Sequence, residues 1–124
     1  MKGLKKIDAV LHRVGNIDEA IRFYVDVLGL RLGWRDESMA GLLFPGNDSE
    51  LVLHIDDSLP NPNISFQVED VDDFVEEYRE KGYNVLVEPF DIRCGMCAVL
   101  SDPYGNAIEV MDLTKFYGVP RFDA

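Results

Sequence analysis

Two stretches of the chain alternate apolar with polar positions and then change to a helical period. Residues 7–14 (IDAVLHRV) and 63–69 (NISFQVE) read as strands, with successive side chains on opposite faces. Each is followed by apolar residues at i, i+3, i+4 and i+7: Ile17, Ala20, Ile21 and Tyr24, then Val71, Phe74, Val75 and Tyr78. That spacing draws one apolar stripe along a helix, which is stable only when the stripe packs on a sheet. Asn16 with Glu19, and Asp70 with Asp73, supply helix starts; Gly29 and Gly82 supply stops. Three short strands are predicted after each helix, near 30–36, 40–46 and 50–56, and near 84–88, 94–101 and 106–112, with turns at Pro45-Gly46-Asn47 and Asp102-Pro103. The halves align without a gap at an offset of 54 positions (63 less 9), placing Val14 on Val68, Asp18 on Asp72 and Tyr24 on Tyr78. A self-match at fixed offset indicates a duplicated unit. The expected class is α+β: two tandem βαβββ modules forming a cupped mixed sheet, helices on its convex side. Module one spans about 7–56, a polar linker 57–62, module two about 63–112 and a tail 113–124, all as one domain.

Composition narrows the functional classes. At 124 residues and 47% hydrophobic, the chain can bury one sizeable core. Its 23 acids against 12 bases leave a net charge of −11, which repels phosphate backbones and argues against nucleic-acid binding. No apolar run reaches membrane-spanning length, and the basic start Met1-Lys2-Gly3-Leu4-Lys5-Lys6 has no apolar region behind it. A cytoplasmic protein is expected. The two cysteines form Cys94-Gly95-Met96-Cys97. On a strand this spacing spans roughly 10 Å, too far for a disulfide without a bulge, and zinc would need two further ligands. They are read as small, partly buried strand residues.

If one face of each strand belongs to a helix, alternation leaves the other face to line a cavity. That face carries Ala9, Leu11 and Arg13 on the first strand, Asn63, Ser65 and Gln67 on the fifth, and Glu109 and Met111 on the last. A polar row beside apolar neighbours suits a small-molecule pocket. Trp34 in LGWRDES is a candidate for stacking a planar ligand. His12 falls on the helix side, beside Val10 and Val14, as a core or edge histidine. Phe116, Tyr117 and Phe122 in the tail suggest docking, over the cavity or on a second subunit.

The segments VGNIDEAIRFYVDVLGL (14–30), FQVEDVDDFVEEYREKG (66–82) and DPYGNAIEV (102–110) resemble, in order, the vicinal oxygen chelate superfamily, which includes glyoxalase I, bleomycin-resistance proteins, extradiol dioxygenases and fosfomycin-resistance enzymes. The resemblance implies four slots where metal-using members place His, Gln or Glu. Here they hold Ala9, Val52, Asn63 and Glu109. Only Glu109 is an ordinary ligand for zinc, nickel, iron or manganese, so no metal cofactor is expected. Glu50 and His54 share a strand face with Val52; a register slip of two would let either join Glu109 in an open metal site. The ligand-binding set is therefore Leu11, Arg13, Trp34, Val52 and His54 in the first module, with Asn63, Ser65, Gln67, Glu109 and Met111 in the second. The expected function is metal-independent binding of a small organic molecule, as in bleomycin-resistance members, by a homodimer. The alternative is a glyoxalase-like lyase or isomerase, with an atypical metal site or with Glu109 as general base.

Overall fold

The structure is a computed structural model and describes residues 3–117. It divides into two compact units, one running from Asp8 to Ile64, the other comprising residues 3–7 and 65–117. In the first unit the chain order is β1 (Lys6–Arg13), α1 (Ile17–Arg22), a π-helical turn (Phe23–Val27), β2 (Arg31–Arg35), β3 (Met39–Leu43) and β4 (Glu50–His54). The strands lie in the order β2-β3-β4-β1, with β1 parallel to β4 and the other pairs antiparallel. Then come β5 (Asn63–Gln67), which enters the second unit at Ser65, and in that unit α2 (Val71–Glu80), β6 (Val85–Ile92), β7 (Gly95–Ser101) and β8 (Ala107–Met111), ordered β5-β8-β7-β6 with β5 parallel to β8. Each unit is βαβββ, and the class is α+β as the sequence pattern predicts.

The duplication extends to backbone detail. The helix caps Asn16 and Asp70, 54 positions apart, have φ/ψ of −151°/117° and −151°/118°. Each side-chain Oδ1 accepts the backbone N–H three residues on, from Glu19 at 2.9 Å and from Asp73 at 3.0 Å. Both glycine stops have positive φ, 79° at Gly29 and 91° at Gly82, where a side chain would be strained. The predicted stripes pack as expected. Ile17 joins Leu30, Ala40, Leu42, Leu51 and Leu53 in one core; Val71 and Val75 join Val68, Ala98, Leu100 and Val110 in the other.

Two elements differ from the sequence pattern. The first helix is α-helical only to Arg22. Leu28 N–H then bonds Phe23 C=O, five residues back, at 3.3 Å. The wider turn keeps Tyr24 and Val25 on the core but leaves Phe23, Val27 and Leu28 about half exposed or more. β6 runs past its predicted end to Ile92. Pro89 is tolerated because it falls between Val87 and Phe90, where the pairing register with β7 shifts. Of the tail aromatics, Phe116 lies under the Arg93 guanidinium (5.4 Å to the ring centroid) and the Tyr117 hydroxyl donates to the Glu69 carbonyl; Phe122 lies outside the described residues.

A buried carboxylate ties the second unit together. Asp112 Oδ2 accepts Val71 N–H, at the start of α2, at 2.8 Å. Its Oδ1 accepts Met96 N–H at 2.9 Å, Thr114 N–H at 3.1 Å and Thr114 Oγ1–H at 2.7 Å. Gly95 is required beside it, since a Cβ there would lie 2.1 Å from Asp112 Oδ1 and 2.5 Å from its carbonyl oxygen. Asp112→Ala strands buried backbone donors and is expected to cost about 3 kcal/mol or more in urea denaturation; a loss below about 1 kcal/mol would show that the carboxylate ties nothing together.

Candidate ligand-binding faces

Strand register determines which candidates stand together. In the first unit, Ala9 faces Glu50, Leu11 faces Val52 and Arg13 faces His54 across β1 and β4. β3 continues these rows with Leu43, Gly41 and Met39. All lie on the face opposite the α1 core. There Ala9, Leu11 and Val52 form a second apolar cluster, against which Trp34, Met39 and Leu59 pack. Trp34 lies over Gly41: a Cβ on Gly41 would sit 1.9 Å from the indole Nε1. The indole N–H donates to Glu50 Oε2 at 2.7 Å. Trp34 thus covers the sheet with its ring, and Glu50, 6% exposed, is its hydrogen-bond acceptor.

His54 ends β4 and is fully buried. Its Nδ1 accepts the Asp56 N–H at 3.0 Å, so the ring is neutral with its proton on Nε2. That Nε2 has no hydrogen-bond partner among the described residues. Burial holds the imidazole below its ordinary pKa of 6.5; Asp56 opposes the shift, while Arg13 and His12 add to it.

In the second unit, Ser65 faces Glu109 and Gln67 faces Met111, and β7 extends the rows with Val99 and Cys97. These residues lie opposite the α2 core. Ser65 and Gln67 are buried, Glu109 is half-buried, and Asn63, earlier on β5, is buried. Cys94 and Cys97 are both buried and form no disulfide. Burial, with the Glu109 charge adding to it, pushes the Cys97 thiol far up, so it is no nucleophile at neutral pH.

The duplication settles one register. Val14 N–H bonds His54 C=O in the first unit and Val68 N–H bonds Met111 C=O in the second, each at 2.8 Å. His54 is thus the counterpart of Met111, and Val52 is the counterpart of Glu109. The first unit has an isopropyl group where the second has a carboxylate. Two surface clefts lie elsewhere: one of about 200 Å³ lined by Glu69, Asp70, Asp73, Phe74 and Glu77, the other of about 370 Å³ bordered by Arg31 and Phe44. Neither holds a residue of the ligand-binding set expected from the sequence.

Residues 6–110 match the sequence profile of the Glyoxalase/Bleomycin resistance protein/Dioxygenase superfamily. The chain belongs to this superfamily. Among curated members it is 29% identical to a lactoylglutathione lyase of Arabidopsis thaliana, over 82% of this chain but only 42% of that protein's length. It is 28% identical to a probable lactoylglutathione lyase of Synechocystis sp., covering 83% of this chain and 92% of that one. Solved structures of similar fold include a methylmalonyl-CoA epimerase from Mycobacterium tuberculosis (TM-score 0.68, 22% identity, 88% of each chain). Another is an Mn(II)-bound glyoxalase from Novosphingobium aromaticivorans (TM-score 0.69, 23% identity, 90% of this chain and 40% of that one). At these identities the likeness is one of fold. No helix among the described residues is long and apolar enough to cross a membrane.

Two of the four slots that the resemblance implies lack a metal donor. Ala9 and Val52 carry no donor atom. Glu50, beside Ala9, gives an oxygen to Trp34, and both nitrogens of His54 are enclosed. Among the described residues no three His, Cys, Asp or Glu side chains group as a metal site. Alternation could not have revealed Glu50 as a partner of Trp34, because that contact depends on how β2, β3 and β4 pair.

The lowered His54 pKa sets a sign. The unfolded chain takes up this proton near 6.5, before the folded ring does, so folding is most favoured above that pH and weakens as pH falls through it. Thermal melts from about pH 7.5 to about pH 5 should show a decline that His54→Leu flattens; equal slopes in the two proteins would contradict the assignment.

Proposed function

We propose that this protein binds a small organic molecule on the helix-free face of its second unit, without a divalent ion, with Glu109 as the polar anchor. The observation that carries this reading is the composition of that face. Ser65, Gln67 and Glu109 lie in adjacent registers beside Val99 and Met111. A few polar groups set among apolar ones orient a ligand while burial supplies its affinity. The carboxylate, under a surface of net charge −11, favours a ligand with a cationic or hydrogen-bond-donating group. The donor set supports the metal-free part of the reading.

A second reading is supported by the names of the curated relatives. One relative is a lactoylglutathione lyase and another a probable one, which favours a lyase or isomerase in which Glu109 takes a proton from the bound substrate. Binding and turnover use the same carboxylate and are separated by assay.

A thermal-shift screen of small cationic, neutral and anionic compounds, followed by calorimetry, tests the proposal. A cationic or donor-bearing compound is expected to bind, and Glu109→Gln to weaken it about tenfold or more, or roughly 1.4 kcal/mol. Elemental analysis after zinc, nickel, iron and manganese loading should find less than about 0.1 equivalents retained. Unchanged affinity in Glu109→Gln, or near-stoichiometric metal, would overturn the reading. Formation or cleavage of lactoylglutathione by the wild type but not by Glu109→Gln would establish the second reading instead.

A further inference from the structure

The first unit carries an arrangement that the reading of Glu109 does not use. Residues 56–61 form a strap after β4, held at several points. Asp56 N–H donates to His54 Nδ1 at 3.0 Å. Arg13 Nη1 donates to the carbonyl oxygens of Asp57 at 3.2 Å and Leu59 at 3.4 Å. Arg13 N–H donates to Asn61 Oδ1 at 3.2 Å. Between these ties, the Leu59 side chain packs on the apolar cluster of Ala9, Leu11 and Val52, on which Trp34 and Met39 also pack.

The strap therefore presents two oxygens to one guanidinium nitrogen and an isobutyl group to an apolar face. Those are the chemical parts of a small branched carboxylic acid. Beside Arg13 in register is His54, whose buried Nε2–H has no acceptor among the described residues. A buried donor left without an acceptor is a standing cost that a ligand oxygen removes. We propose that the strap is an internal plug, and that the site it covers binds small apolar monocarboxylates. The carboxylate replaces the Asp57 and Leu59 carbonyls on Arg13 and takes the His54 Nε2–H, while the apolar part replaces Leu59 against Leu11, Val52 and Trp34. Strap opening precedes binding, so the plugged protein binds more weakly than the bare site would.

The reading is independent of Glu109, because it uses different residues. Trp34 is the single tryptophan, so its fluorescence reports the site directly. The test titrates 4-methylpentanoate into the wild type, Leu59→Ala and Arg13→Met, with 3-methylbutylamine and 4-methylpentanamide as charge controls, reading fluorescence and heat. Leu59→Ala shortens the plug and should bind the carboxylate at least tenfold more tightly than the wild type. Arg13→Met should lose at least tenfold, and the amine and amide should bind at least tenfold more weakly than the acid. Circular dichroism confirms that each variant is folded; both substitutions lie on half-buried or exposed side chains. The proposal is overturned if folded Leu59→Ala shows no carboxylate binding at about 10 mM, if Arg13→Met binds as the wild type does, or if the amide binds as well as the acid.

Discussion

Each strand of this fold has two faces, and a helix claims one of them. That constraint shapes the rest of the structure. Once Ile17 and Ala20 pack on Leu42, Leu51 and Leu53, the side chains of Val52 and His54 must point the other way; once Val71 and Val75 pack on Ala98 and Val110, so must Glu109 and Met111. A shift of one residue would place Glu109 in the apolar core and Val110 outside it, at a cost no local hydrogen bond could offset. Every functional inference therefore rests on which face a residue occupies.

The two units use the freed face differently. The first fills it with its own side chains: Trp34 across Gly41, Glu50 as the indole's acceptor, and Leu59 on Ala9, Leu11 and Val52. The second lines it with Ser65, Gln67 and Glu109. Duplication supplied both units with one backbone, down to the caps at Asn16 and Asp70, and side-chain replacement at Val52 and Glu109 gave their faces different chemistry. The superfamily accommodates this because the helix–sheet core makes no demand on the opposite face.

What could be read from the chain and what could not divide along physical lines. Strands, caps and stripes are local, so the βαβββ repeat and the faces of β1, β4, β5 and β8 were legible from spacing alone. The π-helical turn was not, because FYVDVLG places apolar residues at spacings compatible with either helical period. The extension of β6 past Pro89 was not, because a bulge depends on the partner strand. Asp112 reads in sequence as one more acid after a strand, yet it holds Val71, Met96 and Thr114. Glu50 stood out only as a register question and His54 also as a candidate ligand contact, and their actual partners, Trp34 and the Asp56 N–H, follow from strand pairing and the path of the strap. Long-range contacts, not local pattern, turned these side chains into binding or structural groups.

The central claim is that the helix-free face of the second unit holds the ligand. Amide chemical shifts of the labelled protein, followed while the tightest compound from the screen is added, locate that ligand directly. The account predicts perturbations centred on Ser65, Gln67, Glu109 and Met111, with the α2 core residues Val71 and Val75 little changed. Perturbations confined to the outer surface of α2 around Asp73 and Glu77, with Ser65 and Glu109 unmoved, would contradict it.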